Sequence, residues 1–405
     1  MSLAPHAYRA AWLFPVDQPP IRDGVVEIVA GKIVAVHAYR TGEVVTDLGD
    51  VALLPGLINP HTHLEFSELE TPLGEPGLDF PSWIRRVITY RRERELQSAS
   101  SGAWQSQAIQ AGLAESRAAS VAALGEIATI PCDYPRYATE SPQVTVFLEL
   151  LGLAPERQPV LWQAAQQHLQ QQRTPGVEFG LSPHAPYTVQ PELLKRVCAF
   201  SAAAHFPVAM HLAESLEELE LLQAGSGRLA SFLAEMNALP HGVIPRGVEP
   251  RWYLEMLAQA SRALVIHGNY LNTEEMAFLG EHSERMSVVY CPRTHAYFNA
   301  GQYPLAAMLA ANVNVCFGTD SRATNPNLSV WEEMLFAGQR HPQVSPAGIL
   351  HLGTLGAAEA LGREHDFGSI TVGKFARFTE VNLSTLSAAD PHELLWTAAR
   401  TVRTR

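Results

Sequence analysis

Between residues 51 and 318 the chain repeats one unit, a short β-branched or apolar run followed by a stretch rich in Ala, Leu, Gln and Glu with helical character. That rhythm restricts the fold, because parallel neighbours need a helical crossover where antiparallel ones accept a tight turn. Eight candidate strands are read at residues 51–58, 120–127, 143–150, 176–181, 206–211, 263–267, 286–290 and 312–318. Helices are read at 81–116, 191–204, 215–235, 273–281, 304–311 and 328–337. Eight strands with crossover helices predict a (β/α)8 TIM-type barrel over residues 51–364, an α/β fold. An open, doubly wound sheet is the competing arrangement.

The two ends have a different texture. Residues 24–29 and 32–36 flank Gly31 as a hairpin would, and short strands return at 369–372 and 375–381. Residues 1–50 and 365–405 are therefore expected to form one small β-sandwich domain beside the barrel. The chain is 47% hydrophobic and 17% charged over 405 residues, enough to bury a large core and too apolar for extended disorder. A formal charge of −12 disfavours a nucleic-acid backbone or an anionic membrane as partner and leaves a small molecule in a local pocket. Cys132, Cys198, Cys291 and Cys316 lie far apart with no paired spacing, so neither a disulfide framework nor a cysteine zinc site is expected, and a reducing cytoplasm fits. No run reaches the roughly 18 apolar residues of a membrane span, and no signal-peptide pattern opens the chain. Oligomeric state is left open, a homodimer included.

Polar residues recur just after the candidate strands. His61 and His63 follow the first, His184 the fourth, His211 and Glu214 the fifth, His267 the sixth, His295 the seventh and Asp320 the eighth. Sixteen histidines make one His-x-His pair expected by chance, and a lone strand-end histidine is more often structural than functional. In a parallel barrel, however, all these positions open onto the C-terminal rim, so residues distant in sequence converge. Two His at i and i+2, a third from another strand and a carboxylate make a nitrogen and oxygen shell for a divalent ion. Such an ion with an open position lowers the pKa of water towards about 7, which suits hydrolysis of an unreactive C–N bond.

The run Leu54-Pro55-Gly56-Leu57-Ile58-Asn59-Pro60-His61-Thr62-His63 resembles the first-strand signature of the amidohydrolase superfamily, and Phe317-Gly318-Thr319-Asp320-Ser321 resembles its eighth. Ser182-Pro183-His184-Ala185-Pro186-Tyr187, Met210-His211-Leu212-Ala213-Glu214-Ser215 and Ile266-His267-Gly268-Asn269 stand between them in the superfamily's order. The likeness spans roughly residues 1 to 380 and is strongest to the branch of cytosine, guanine and methylthioadenosine deaminases and triazine chlorohydrolases. Within it, His184 to Thr188 and Cys291-Pro292-Arg293-Thr294-His295 look most like the aminodeoxyfutalosine deaminase group. The resemblance implies His61, His63, His211 and Asp320 as metal ligands, Glu214 as proton shuttle and His267 as the group orienting the attacking water, whose proton Asp320 can accept. It also implies His184 as a hydrogen-bond donor to the substrate ring, with Arg293 and His295 facing the substrate.

Two-metal members of the superfamily bridge their ions with a lysine after the fourth strand, where this chain has Ser182-Pro183-His184, so one divalent ion is expected, zinc by default, with iron and manganese also suited to the donors. The implied reaction is hydrolytic deamination of an aminated N-heterocycle, a 6-aminopurine nucleoside such as aminodeoxyfutalosine or an adenosine derivative. Alternatives are a chlorohydrolase or amidohydrolase acting on a triazine or other ring, and a non-catalytic barrel. Glu126 and Glu149 end the second and third strands, where either could meet substrate hydroxyls or support the metal site, and Trp83 could wall the pocket or anchor its loop. Arg85, Arg86, Arg91 and Arg92 read as a solvated, salt-bridged helix face. Gly225-Ser226-Gly227-Arg228-Leu229-Ala230 follows a helical stretch where a dinucleotide fingerprint needs a strand. Phe375-Ala376-Arg377-Phe378 departs from the superfamily's usual Ala-Asp-Leu after Gly373-Lys374, which puts that turn of the β domain in doubt.

Overall fold

The computed structural model describes residues 6–98, 102–130, 132–171, 174, 176–238, 242–383, 385, 387–397 and 402–405. Strands β1 (His6–Leu13), β2 (Ile21–Val29) and β3 (Lys32–Ala38) form an antiparallel meander. Then β4 (Thr46–Asp47) and β5 (Val51–Pro55) run one after the other alongside β1, parallel to it. The barrel follows: β6 (Leu57–Thr62), β7 (Val121–Ala128), β8 (Gln143–Leu150), β9 (Val177–Pro183), β10 (Pro207–Leu212), β11 (Arg262–His267), β12 (Met286–Tyr290) and β13 (Asn314–Phe317). Each is parallel to its neighbour in sequence order. Finally β14 (Phe378–Asn382) pairs antiparallel with β5, and β15 (Val402–Thr404) with β14.

The parallel barrel expected from the strand count is therefore present, and the open sheet is not. Its strands are buried on both sides, as parallel strands sheathed by crossover helices must be; all eight residues of β7 are inaccessible. Ile58, Ala123, Phe147, Ala209, Leu264, Val289 and Cys316 pack together along the strands. Ala357, Ala358 and Leu361 of the helix Leu355–Leu361 join this cluster where the strands begin, beside the Ile58 N–H bond to the Gly353 carbonyl. Between β13 and β6 the seam is held by Thr319 N–H to Asn59 Oδ1 at 3.1 Å and Asp320 N–H to the His61 carbonyl at 3.1 Å. Gly318 is required there, since a Cβ would sit 2.7 Å from Val289 Cγ1 and 3.1 Å from His61 Cβ.

Several boundaries differ from expectation. The run 51–58 is two strands, and β5 belongs to the small sheet, so the expected division at residue 50 falls ahead of a strand that the outer sheet claims. That outer unit is hydrogen-bonded as one seven-stranded sheet, with Ala10, Leu13, Val26, Ile28, Leu53 and Phe378 in its own core. Residues 369–372 form no strand; 373–376 instead follow β3 through Ile33 N–H to the Lys374 carbonyl and Ala376 N–H to the Gly31 carbonyl. The expected helix 81–116 is Phe80–Gln97 and Ala103–Ala118, with residues 99–101 outside the described set. The expected helix 215–235 breaks at Gly225 and Gly227, both at positive φ, into Leu216–Ala224 and Arg228–Glu235. Residues 1–5 of the expected β domain also lie outside the described residues. Among the described residues no helix is long and apolar enough to cross a membrane.

Candidate metal centre and active site

Strand alternation alone would not bring His61 to the centre. Ile58 packs in the barrel cluster, so residue 61 should point the other way; the β6–β7 ladder slips between Asn59 and Thr62 and resets the alternation. His61 and His63 then meet His211 from the end of β10, with ring centroids 5.0 Å from His61 to each of the others. Ligand-type atoms of His61, His63 and His211 lie within 4.8 Å of one another, as do those of His61, His267 and Asp320.

These donors fit a cation. Both ring nitrogens of His61 and Nδ1 of His63 are buried without a hydrogen-bond partner, a costly state for polar atoms unless something binds them. His63 Nε2 and His211 Nε2 face each other at 3.4 Å. His211 Nδ1 lies 3.1 Å from the His184 carbonyl, which can only accept, so Nδ1 carries the proton and Nε2 presents its lone pair. Burial, and next the neighbouring imidazoles, hold His63 and His211 well below the usual histidine range, so both are neutral. Burial alone would raise the Asp320 carboxyl, but the facing imidazoles, His61 first at 3.7 Å and then His267 and His63, hold it ionised well below the usual carboxylate range. Ser321 N–H donates to Asp320 Oδ1 at 2.7 Å and fixes that carboxylate, on a residue held at φ +55°.

Glu214 sits opposite. Its Oε1 is 3.4 Å from His267 Nε2, and burial, then the Asp320 and Glu218 carboxylates, push its own carboxyl well up, so it holds a proton. The loop that presents it is fixed from behind. Glu218 is fully buried and accepts from Ala213 N–H and Glu214 N–H, both at 2.9 Å, while Asn269 Nδ2 donates to the Glu214 carbonyl at 2.8 Å. His267, at φ +70°, has its own carbonyl held by the Tyr303 hydroxyl at 2.8 Å. Glu218 and Tyr303 carried no motif that would have singled them out, and Asn269 stood in one without a role; a glutamate four residues after Glu214, at the third position of the helix Leu216–Ala224, is the one local signal.

A cavity of about 310 Å³ opens above this floor, lined by His184, Glu149, Glu214, His267 and Asp320 and walled by Phe80, Trp83, Tyr187 and Phe232. Trp83 both walls and anchors, since its indole N–H reaches the Ala323 carbonyl at 3.4 Å. Glu149 Oε1 is 3.8 Å from His184 Nε2. Glu126 is a supporting group instead, accepting from Leu64 N–H at 2.9 Å just past the His63 ligand position.

Three expectations change, and His184 keeps its place at the cavity. Arg293 does not face the cavity: Cys291-Pro292 starts the helix Pro292–Tyr297, and the guanidinium turns to Glu333 at 2.7 Å, Glu332 at 2.8 Å and Asn327 at 2.9 Å. His295 is buried against Tyr290 and Tyr303 and lines a different cavity. The hydroxyl of Thr188 holds His184 by its Nδ1 at 2.7 Å and lies 3.2 Å from the Ala185 carbonyl, which leaves His184 Nε2 directed toward Glu149 and the cavity. Burial, with Arg91 and His61 nearby, keeps that ring neutral by lowering its pKa to about 3. Arg91 leaves the solvated face and lines the cavity, donating at 2.5 Å to Glu65, a carboxylate only 4% exposed that the sequence reading passed over.

The family model described as the amidohydrolase family matches residues 52–401. The chain is similar to an aminodeoxyfutalosine deaminase from Deinococcus radiodurans, 30% identical over 328 residues that cover 78% of this chain and 74% of that one. In structure it is similar to an aminofutalosine deaminase from Helicobacter pylori in complex with methylthio-coformycin, with a TM-score of 0.81 and 22% identity over 98% of this chain and 97% of the other. It is likewise similar in fold to an atrazine chlorohydrolase from Arthrobacter aurescens complexed with zinc, with a TM-score of 0.81 and 19% identity over 98% and 92% of the two chains.

Proposed function

The chain belongs to the amidohydrolase family, and from that membership we propose that it is a metal-dependent deaminase releasing ammonia from a 6-aminopurine nucleoside, aminodeoxyfutalosine or a related adenosine derivative. The observation that carries this reading is Glu214 set 3.4 Å from His267 and facing Asp320 at the floor of a cavity with aromatic walls, its carboxyl pushed up by burial. Its relative from Deinococcus radiodurans is an aminodeoxyfutalosine deaminase.

His61, His63, His211 and Asp320 would hold one divalent ion. Three nitrogens and an oxygen suit zinc, and zinc is bound in the atrazine chlorohydrolase of similar fold. When bound, that ion supplies an acidified water as nucleophile. Ser182 at the end of β9 offers no lysine for a second ion. Around the substrate, Phe80 and Trp83 flank the ring and exclude water, and His184 Nε2, with Nδ1 held by Thr188, donates a hydrogen bond to the ring. Glu149, buried beside His184, receives substrate hydroxyls. His267 orients the nucleophile and Asp320 takes up its proton. Glu214 gives its proton to a ring nitrogen as the C–O bond forms; the proton that Asp320 took from the water then passes to the amine as the C–N bond breaks and ammonia leaves, and the hydroxyl proton left on the ring carbon restores Glu214. The four free cysteines and the small-molecule pocket suit a cytoplasmic enzyme.

The test is ammonia release with ultraviolet scanning from zinc-loaded protein on adenosine, methylthioadenosine, aminodeoxyfutalosine, guanine, cytosine and aminotriazines, with chloride release measured on chlorotriazines. Turnover of a 6-aminopurine nucleoside is the expected result. Chloride release with no ammonia from any nucleoside would replace the deaminase reading with a chlorohydrolase.

A further inference from the structure

A second cavity, of about 430 Å³, lies behind His267 and takes no part in the chemistry above. Tyr303 separates the two: it lines the second cavity, is 2% exposed, and donates its hydroxyl to the His267 carbonyl at 2.8 Å. Two more buried groups line it. His295 is 5% exposed and His341 2%, and His295 Nε2 and His341 Nδ1 are buried with no hydrogen-bond partner. A buried imidazole nitrogen left unpaired is costly, and two of them on one cavity mark a place built for something polar.

The lining also has a sign. Arg340 completes it, its guanidinium 5.2 Å above the Phe336 ring, and among the described residues no carboxylate lines the wall, in a chain whose formal charge is −12. Tyr290 and Tyr303 stack at 3.6 Å and supply an aromatic flank. His341 is already oriented, its Nε2 3.2 Å from the Tyr290 hydroxyl, which leaves Nδ1 for a ligand. Burial first, and then the neighbouring His341 and Arg340, lowers His295 to about 4, and burial with Arg340 lowers His341, so both rest neutral with their charge state free to respond to an anion.

We infer that this cavity binds a small oxyanion, a carboxylate or phosphate group, between Arg340, His295 and His341, and that its occupancy is transmitted to His267 through Tyr303. An anion there neutralises Arg340, gives His295 and His341 a partner, and presses on Tyr303, whose hydroxyl holds the carbonyl of His267, a residue in the left-handed conformation. The site is separate from the substrate cavity, so its existence does not depend on the deaminase reading.

The experiment is a titration of zinc-loaded enzyme with inorganic phosphate and, separately, with benzoate, followed by the ring carbon-proton resonances of the histidines, assigned with His295→Asn and His341→Gln. The expected result is saturable shifts of His295, His341 and His267 on one binding curve, weakened about tenfold or more in Arg340→Ala, where an exposed side chain is lost and the fold is retained. Benzoate binding more tightly than phosphate assigns the aromatic flank to the ligand's body; phosphate binding as well or better assigns the site to the oxyanion alone. Glu214→Gln enzyme should give the same curve, which separates this cavity from the substrate site. No saturable shift at His295 and His341, or shifts that Arg340→Ala leaves unchanged, would overturn the site. Binding without movement of His267 would overturn its coupling.

Discussion

Glu218 offers the sharpest check on how the proton-transfer residue is held. It is fully buried and does not line the substrate cavity, yet its two carboxylate oxygens accept the N–H groups of Ala213 and Glu214 at 2.9 Å each. Ala213 is at φ +54°, a conformation an alanine holds only under external constraint. Glu218→Ala leaves two buried donors unpaired, at about 1–3 kcal/mol each, or roughly 2–6 kcal/mol together. Burial already raises this carboxyl to about 7 against those bonds, so part of their strength is spent at neutral pH and the lower half of that range, about 2–4 kcal/mol, is the expected loss. Glu218→Gln keeps one accepting oxygen and should lose about half as much. Urea unfolding gives the stability change, and ammonia release with elemental analysis gives the rest: kcat should fall about ten- to a hundredfold, from displacement of Glu214, with metal content unchanged. Wild-type stability and kcat in Glu218→Ala would refute the reasoning. A kcat loss matched by metal loss would place the effect in the ligand cluster instead.

Three further outcomes follow from the geometry. Glu214→Gln should retain metal and lose about 10²- to 10⁴-fold in kcat, because the amide cannot relay a proton; wild-type turnover would remove Glu214 from the mechanism. Asp320→Ala should lower bound metal, since it deletes the anionic donor beside His61 at 3.7 Å, and full occupancy by elemental analysis would contradict its place in the shell. His168 is buried far from the site, bonded to Tyr134 and the Val146 carbonyl, and burial lowers its pKa to about 4. As pH falls from about 6.5 to 4 the unfolded chain takes a proton that the folded ring refuses, so stability present above pH 6.5 is lost, by up to about 3 kcal/mol at pH 4. In His168→Gln the acid loss should be smaller by about that amount in pH-dependent denaturation; an identical pH profile would show that the ring is not held neutral.

The chemistry-bearing histidines were legible because barrel topology converts eight scattered strand ends into one rim, so types and order sufficed without geometry. Where a helix begins directly after the strand, the same logic failed. Arg293 stands three residues past β12, as Asp320 stands three past β13, but Pro292 starts a helix at once and turns Arg293 outward and His295 sideways. Arg91 shares a helix with Arg85, Arg86 and Arg92, and only tertiary packing against Glu65 distinguishes it from its exposed neighbours. The split of 51–58 was hidden because both halves are apolar and both are buried, so no periodicity marks the point where the chain leaves one sheet for the other. Ser369–Val372 carried strand-like composition, yet Gly368 and Gly373 at positive φ bracket it and make it a turn.

That split has a consequence for synthesis. The strand bearing His61 and His63 continues directly from β5, whose outer partner β14 is not translated until almost the whole chain has been made. Emerging from the ribosome, the first two metal donors are thus tethered to an edge of unpaired backbone until the C-terminal strand arrives to cover it. The order of translation makes that late pairing a checkpoint: a chain cut short before residue 378 would carry every donor for the ion and still leave the strand that delivers two of them with an open edge.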